Sequence, residues 1–217
     1  MNGSVLITGG AGFIGFHLAR SLVSVGYKVH LVDNHARGPM DKALQKLLTH
    51  PSIMFSRIDL MDYQSLSKLE NNYFAVYHLA AIIGVSHVSE RPYEVLVNNI
   101  RMLENIIRFT KSQKHIQRLF YASTSEVYAG TLKHFDLEIP SPESAPLAVT
   151  ALSDKRTTYM MSKITGEAMC HHSGVPFTIF RPHNIYGPRM GRSHVIPEII
   201  NKILNQHNEV VSFAGNS

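Results

Sequence analysis

At 217 residues, 44% hydrophobic and 17% charged, the chain carries enough apolar side chain for one sizeable core and has no signature of disorder. Its net charge of +5 comes from Lys and Arg scattered along the sequence without a dense basic block, so the charge suits nucleotide phosphates and nucleic-acid binding is not expected. No apolar run approaches the ~20 residues that span a bilayer, no export signal precedes the first strand, and the single cysteine, Cys170, excludes an internal disulfide; a cytoplasmic protein without membrane contact is expected. The 13 histidines do not imply a metal, because His171 and His172 are adjacent and lack the i, i+4 spacing of a zinc-binding helix.

The first predicted strand, Ser4–Thr8, runs directly into Thr8-Gly9-Gly10-Ala11-Gly12-Phe13-Ile14-Gly15 and then into an amphipathic segment from Phe16 to Val25. Strand, glycine turn and helix in that order let main-chain N–H groups reach a pyrophosphate at the positive end of a helix. A second strand, Lys28–Asp33, ends in an acid 18 residues past Gly15, where a Rossmann unit places the carboxylate that bonds the adenosine ribose. That acid repels a 2′-phosphate and favours NAD over NADP, while Arg37 keeps NADP as the minority option. Further strands are predicted at Ile53–Arg57, Ala75–Leu79, Arg118–Ala122 and Pro176–Arg181, with helical stretches between them. The alternation predicts an α/β Rossmann-type, doubly wound parallel sheet with ligands at the carboxyl ends of its strands.

The unusual clusters fall at those ends. Asp59-Leu60 follows the third strand, Ala80-Ala81 the fourth, Ser123-Thr124-Ser125-Glu126 the fifth and Pro182-His183-Asn184 the sixth. From Phe135 to Asp154 the chain reads as a long irregular segment rich in Pro, Ser and acids. Tyr159-Met160-Met161-Ser162-Lys163 starts a predicted helix and sets Tyr159 and Lys163 i, i+4 on one face. An adjacent ammonium and a positive nicotinamide ring both favour the phenolate, which makes Tyr159 a candidate base near neutral pH.

Taken together, these motifs resemble the extended short-chain dehydrogenases/reductases, the NAD-dependent epimerases, dehydratases and decarboxylases of nucleotide sugars. The resemblance rests on Thr8–Gly15, Asp33, Asp59-Leu60, His78-Leu79-Ala80-Ala81, Asn98, Ser123–Tyr128, Tyr159–Lys163 and Arg181–Met190. It implies Tyr159 as base, Lys163 on the nicotinamide ribose and Thr124 on the sugar hydroxyl being oxidised. It also implies a cofactor site of Gly9, Gly12, Phe13, Ile14, Gly15, Asp33, Asn34, Asp59, Leu60, Leu79, Ala80, Ala81, Asn98 and His183, with Tyr159 and Lys163. Thr124, Ser125, Glu126, Asn184 and Arg192 are implied on the nucleoside-diphosphate sugar.

Ser125 stands where the 4,6-dehydratases of this family carry an acid, and serine is a poor acid at pH 7, so dehydration is disfavoured. Thr124-Ser125-Glu126, with Arg156 shortly before Tyr159, is similar to the UDP-glucuronate decarboxylases, in which Glu126 is implied as an acid/base or orienting group. A 4-epimerase is the alternative reaction, and an NAD-binding sensor or degenerate subunit the alternative without catalysis. By resemblance the helices around Tyr93–Lys111 and Tyr159–Ser173 imply a homodimer. Residues 1–182 read as the NAD-binding domain and 183–217 as the start of a substrate-binding region, in a chain that reads as truncated.

Overall fold

One sheet of six parallel strands, in the order β3-β2-β1-β4-β5-β6, organises the chain. The structure is a computed structural model that describes residues 3–38, 40–191 and 195–205. The strands are β1 (Ser4–Thr8), β2 (Lys28–Asp33), β3 (Ile53–Arg57), β4 (Tyr73–His78), β5 (Arg118–Ala122) and β6 (Phe177–Phe180). Between them lie α1 (Phe13–Ser24), α2 (Lys42–Leu48), α3 (Tyr63–Ser67), α4 (Val85–Glu90), α5 (Pro92–Lys111), a 3-10 turn at Ser125–Tyr128, α6 (Ala129–His134) and α7 (Lys155–His172). Met1–His183 forms one compact unit containing the sheet; Asn184–Ser217 forms a second, with α8 at Val195–Asn205.

Strand alternation explains why the sheet is covered on both faces. Val5, Ile7, Val29 and Leu31 point into a core closed by Phe16 and Ala19 of α1 and Leu44 of α2. Leu6, Val32, Val76, Leu119 and Tyr121 point the other way, against Met102, Leu103 and Ile106 of α5 and Cys170 of α7. Among the described residues no helix is long and apolar enough to cross a membrane.

Predicted boundaries shift in β4, β6 and α7. β4 begins at Tyr73, because Tyr73 pairs with Ser4 and its N–H is taken by the Gln113 side chain at 3.2 Å. It ends at His78, beyond which the Ala80 N–H donates to the Thr8 hydroxyl instead of a strand. β6 is shorter than predicted at both ends. α7 starts at Lys155, four residues before Tyr159, because Asp154 caps it by accepting the Arg156 N–H at 2.9 Å.

Residues 135–154 contain neither helix nor strand, as their composition predicts, yet the segment is pinned by polar side chains. The Thr131 hydroxyl donates to the Pro146 carbonyl at 2.5 Å and accepts the Ala148 N–H at 3.0 Å, while the Thr157 hydroxyl donates to the Ala151 carbonyl at 2.8 Å.

Candidate functional site

The carboxyl ends of β1, β2 and β4 form one half of the site, and backbone builds it. Gly9, at φ +68, turns the chain so tightly onto β4 that a Cβ there would lie 2.8 Å from the Ala80 nitrogen; a Cβ on Gly15 would lie 2.5 Å from the Gly9 carbonyl oxygen. Gly12 opens α1 without a side-chain cap, so the positive end of the helix is offered to whatever lies in the turn. Asp33 closes this half: its Oδ2 accepts the Ala11 N–H at 3.1 Å and its Oδ1 the His35 N–H at 2.8 Å. A cradle that no side chain can enter, a helix N-terminus and a carboxylate at the end of β2 fit the pyrophosphate and adenosine ribose of NAD.

Buried side chains build the other half. Tyr159, Lys163 and Glu167 recur at i, i+4 and i+8 and form one buried stripe along α7. Each meets one of three consecutive residues at the end of β5. The Lys163 ammonium donates to the Ala122 carbonyl at 2.8 Å, the Ser123 hydroxyl donates to Glu167 Oε1 at 2.5 Å, and the Thr124 side chain lies near enough to the Tyr159 hydroxyl to favour its phenolate. Ile82, Val88 of α4 and Val95 of α5 complete the cover over Tyr159.

Burial dominates the electrostatics. It raises the Tyr159 hydroxyl well above the ordinary tyrosine value, with Glu126 adding to the rise and Arg37 and Thr124 opposing it. The lowered phenol expected from the Lys163 spacing is therefore not a property of the folded chain alone. Desolvation is the largest cause of that rise, and it acts on Lys163 as well, pushing its ammonium down to about 8. His78 is pushed down to about 3 by burial and by the Lys163 charge, and its Nδ1 is bonded to the Thr8 hydroxyl at 2.8 Å across the β1–β4 boundary. The Glu126 carboxyl is raised by desolvation, which outweighs the attraction of Arg156.

The structure brings Thr124, Tyr159 and Lys163 together, with Glu126 within electrostatic range of Tyr159, and it brings Gly9, Gly12, Gly15 and Asp33 together with Ala80. Phe13 and Ile14 form the first turn of α1. Ser125 donates its N–H to the Pro182 carbonyl at 3.0 Å. The Asn34 side chain donates to Asp59 at 3.3 Å. Leu60 is a core residue, Leu79 and Ala81 are half-buried, and His183 is exposed at the end of the first unit. Asn184 belongs to the second unit, and Arg192 lies outside the described residues.

Asn98 is half-buried on α5, while its neighbour Asn99 does the holding there. The Asn99 side chain accepts the Ile82 N–H at 2.8 Å and donates to the Ile82 carbonyl at 3.1 Å. The sequence does carry a signal for it: Asn99 is a polar residue on the apolar stripe of Val95, Met102, Leu103 and Ile106. Sequence reasoning misses Glu167 in the same way, as an acid on the buried stripe of α7.

A family model described as the NAD dependent epimerase/dehydratase family matches residues 5–217. A UDP-N-acetyl-alpha-D-glucosaminuronate decarboxylase of Bacillus cytotoxicus is 38% identical over 188 residues, covering 85% of this chain and 55% of the relative. Among solved structures, a UDP-N-acetylglucosamine 4-epimerase from Methanobrevibacter ruminantium in complex with UDP-N-acetylmuramic acid superposes with TM-score 0.78 at 29% identity, over 94% of this chain and 63% of that one. A UDP-glucuronic acid 4-epimerase from Bacillus cereus in complex with UDP-glucuronic acid and NAD gives TM-score 0.76 at 28% identity, over 93% and 63%. The chain thus spans little more than half the length of that curated relative and under two thirds of either structure. With its glycine cradle, its parallel sheet and the family match along residues 5–217, the chain belongs to the NAD-dependent epimerase/dehydratase family.

Proposed function

We propose that the chain carries the NAD site and acid–base centre of an enzyme that decarboxylates a UDP-linked uronic acid by transient oxidation at C4. The observation that carries this reading is the Tyr159–Thr124 pair beside Lys163, with a raised Glu126 carboxyl within electrostatic range of Tyr159. Bound NAD would supply a reversible hydride acceptor for C4 and a positive charge that favours the Tyr159 phenolate. Tyr159 takes the C4 hydroxyl proton, Thr124 holds that oxygen, and Lys163 holds the nicotinamide ribose. A 4-keto sugar with a C6 carboxylate is a β-keto acid and loses carbon dioxide. Glu126, raised by desolvation, is suited to deliver the proton that replaces the carboxylate.

Similarity to a uronate decarboxylase supports this reading. Similarity to two 4-epimerases supports the second one, in which the 4-keto sugar turns and the hydride returns to its other face. Incubation of the protein with NAD and UDP-glucuronate or its N-acetylated analogue separates them by mass spectrometry. A loss of about 44 mass units is the expected decarboxylation, an isobaric product is epimerisation, and NAD binding without turnover assigns a dinucleotide-binding module. We further propose a cytoplasmic homodimer through α5 and α7, which a monomeric elution volume overturns.

A further inference from the structure

We infer that the ion pair between Glu167 and Arg181 is a positioning device that pins both ends of the segment 123–128, which carries Thr124 and Glu126. This rests on the proposed role of those two residues. At the first end, Glu167 Oε1 accepts the Ser123 hydroxyl at 2.5 Å and Arg181 Nε at 2.9 Å, while Oε2 accepts Arg181 Nη2 at 2.6 Å. At the second end, Arg181 Nη1 donates to the Tyr128 hydroxyl and, at 3.1 Å, to the Glu143 carbonyl. Main-chain bonds close the frame: Ser123 N–H donates to the Phe180 carbonyl at 2.9 Å and Ser125 N–H to the Pro182 carbonyl at 3.0 Å, on either side of Arg181.

Three elements therefore meet around Thr124: the end of β5, the end of β6 and the buried stripe of α7. Thr124 acts on the Tyr159 hydroxyl from a peptide whose preceding residue is anchored further along the same helix. A buried ion pair gives little net stability over a well-packed apolar pair of the same shape, because desolvation cancels most of the attraction. What this bidentate pair supplies is geometry, with both carboxylate oxygens and the guanidinium edges directed at fixed partners. Glu167 and Arg181 touch neither substrate nor reacting atoms in the proposed reaction, so their effect passes through Thr124 and Glu126.

Ser123→Ala and Tyr128→Phe each remove one pin and leave the Glu167–Arg181 pair in place. In the full chain with NAD, each is expected to lower kcat on the uronate about 10-fold with KM and NAD affinity within about two-fold, and their double variant to lose less than the product of the two. Ultraviolet difference titration against Tyr159→Phe reads Tyr159 in the NAD complex without substrate; Ser123→Ala is expected to raise its midpoint by about half a pH unit as Thr124 is freed to move from the phenol. Lower melting temperatures with unchanged kcat and an unchanged Tyr159 midpoint overturn the inference. If the wild-type protein turns over no nucleotide sugar, the proposed function fails, and the Tyr159 midpoint alone decides the positioning role.

Discussion

The two halves of the cleft are made of different materials. On the β1–β2 side the ligand surface is main chain: Gly9, Gly12 and Gly15 bring peptide groups where a side chain would collide, and Asp33 ties the turn to the following loop. On the β5–α7 side it is side chain, set out along a helical stripe and buried. A site made of backbone binds whatever offers a pyrophosphate, and its failure is steric. A site made of buried titratable groups does chemistry, and its failure is a matter of protons and distances.

Tyr159→Phe is the sharpest way to separate the halves. Turnover should fall about 10²–10⁴-fold while NAD affinity, measured by calorimetry, stays within a few-fold. A parallel loss of NAD binding would show that the two halves are not independent.

His78 sits on the seam, bonded to Thr8 on one side and facing the Lys163 charge on the other. Its folded pKa of about 3 lies below the unfolded value of 6.5. Between those values the unfolded chain takes up a proton that the folded chain refuses, so stability is lost as pH falls through that window, at up to ~1.4 kcal/mol per unit from this one group. Urea titrations from pH 7 to 4 should show the fall, and His78→Gln should flatten it relative to wild type; an equal slope in the variant removes His78 as the cause.

Gly15→Ala breaks the backbone half alone. With the Gly9 carbonyl 2.5 Å from the new Cβ, the turn must shift, at about 1–3 kcal/mol. NAD affinity, measured by calorimetry, should drop accordingly. Asn99→Ala acts on the cover over Tyr159: it leaves the Ile82 N–H and carbonyl without their partner, costs about 2 kcal/mol, and lowers the melting temperature more than it lowers NAD affinity.

Much of the fold is legible in the order of the residues. β1, β2, β3 and β5 lie where their apolar runs place them, since a buried parallel strand is a short continuous apolar run between turn signals. The start of α7 is not legible in this way, because Asp154 caps it from inside a polar stretch that shows no helical periodicity. Nor is the direction of the Tyr159 shift. Helical spacing shows that Lys163 is near Tyr159, but how far both are desolvated depends on Val88, Val95 and Tyr121, which arrive from other elements.

By itself the sequence determined the glycine cradle, the acid at the end of β2, the parallel α/β order and the face shared by Tyr159 and Lys163, because turn chemistry and helical and strand periods are local. Only the tertiary structure decided that Ala122, Ser123 and Thr124 meet Lys163, Glu167 and Tyr159, that Arg181 closes the frame, and that burial rather than a neighbouring charge governs the phenol. Those three meetings join residues 35 to 44 positions apart in the chain, and desolvation is a property of everything packed around a group rather than of the group's neighbours in the chain.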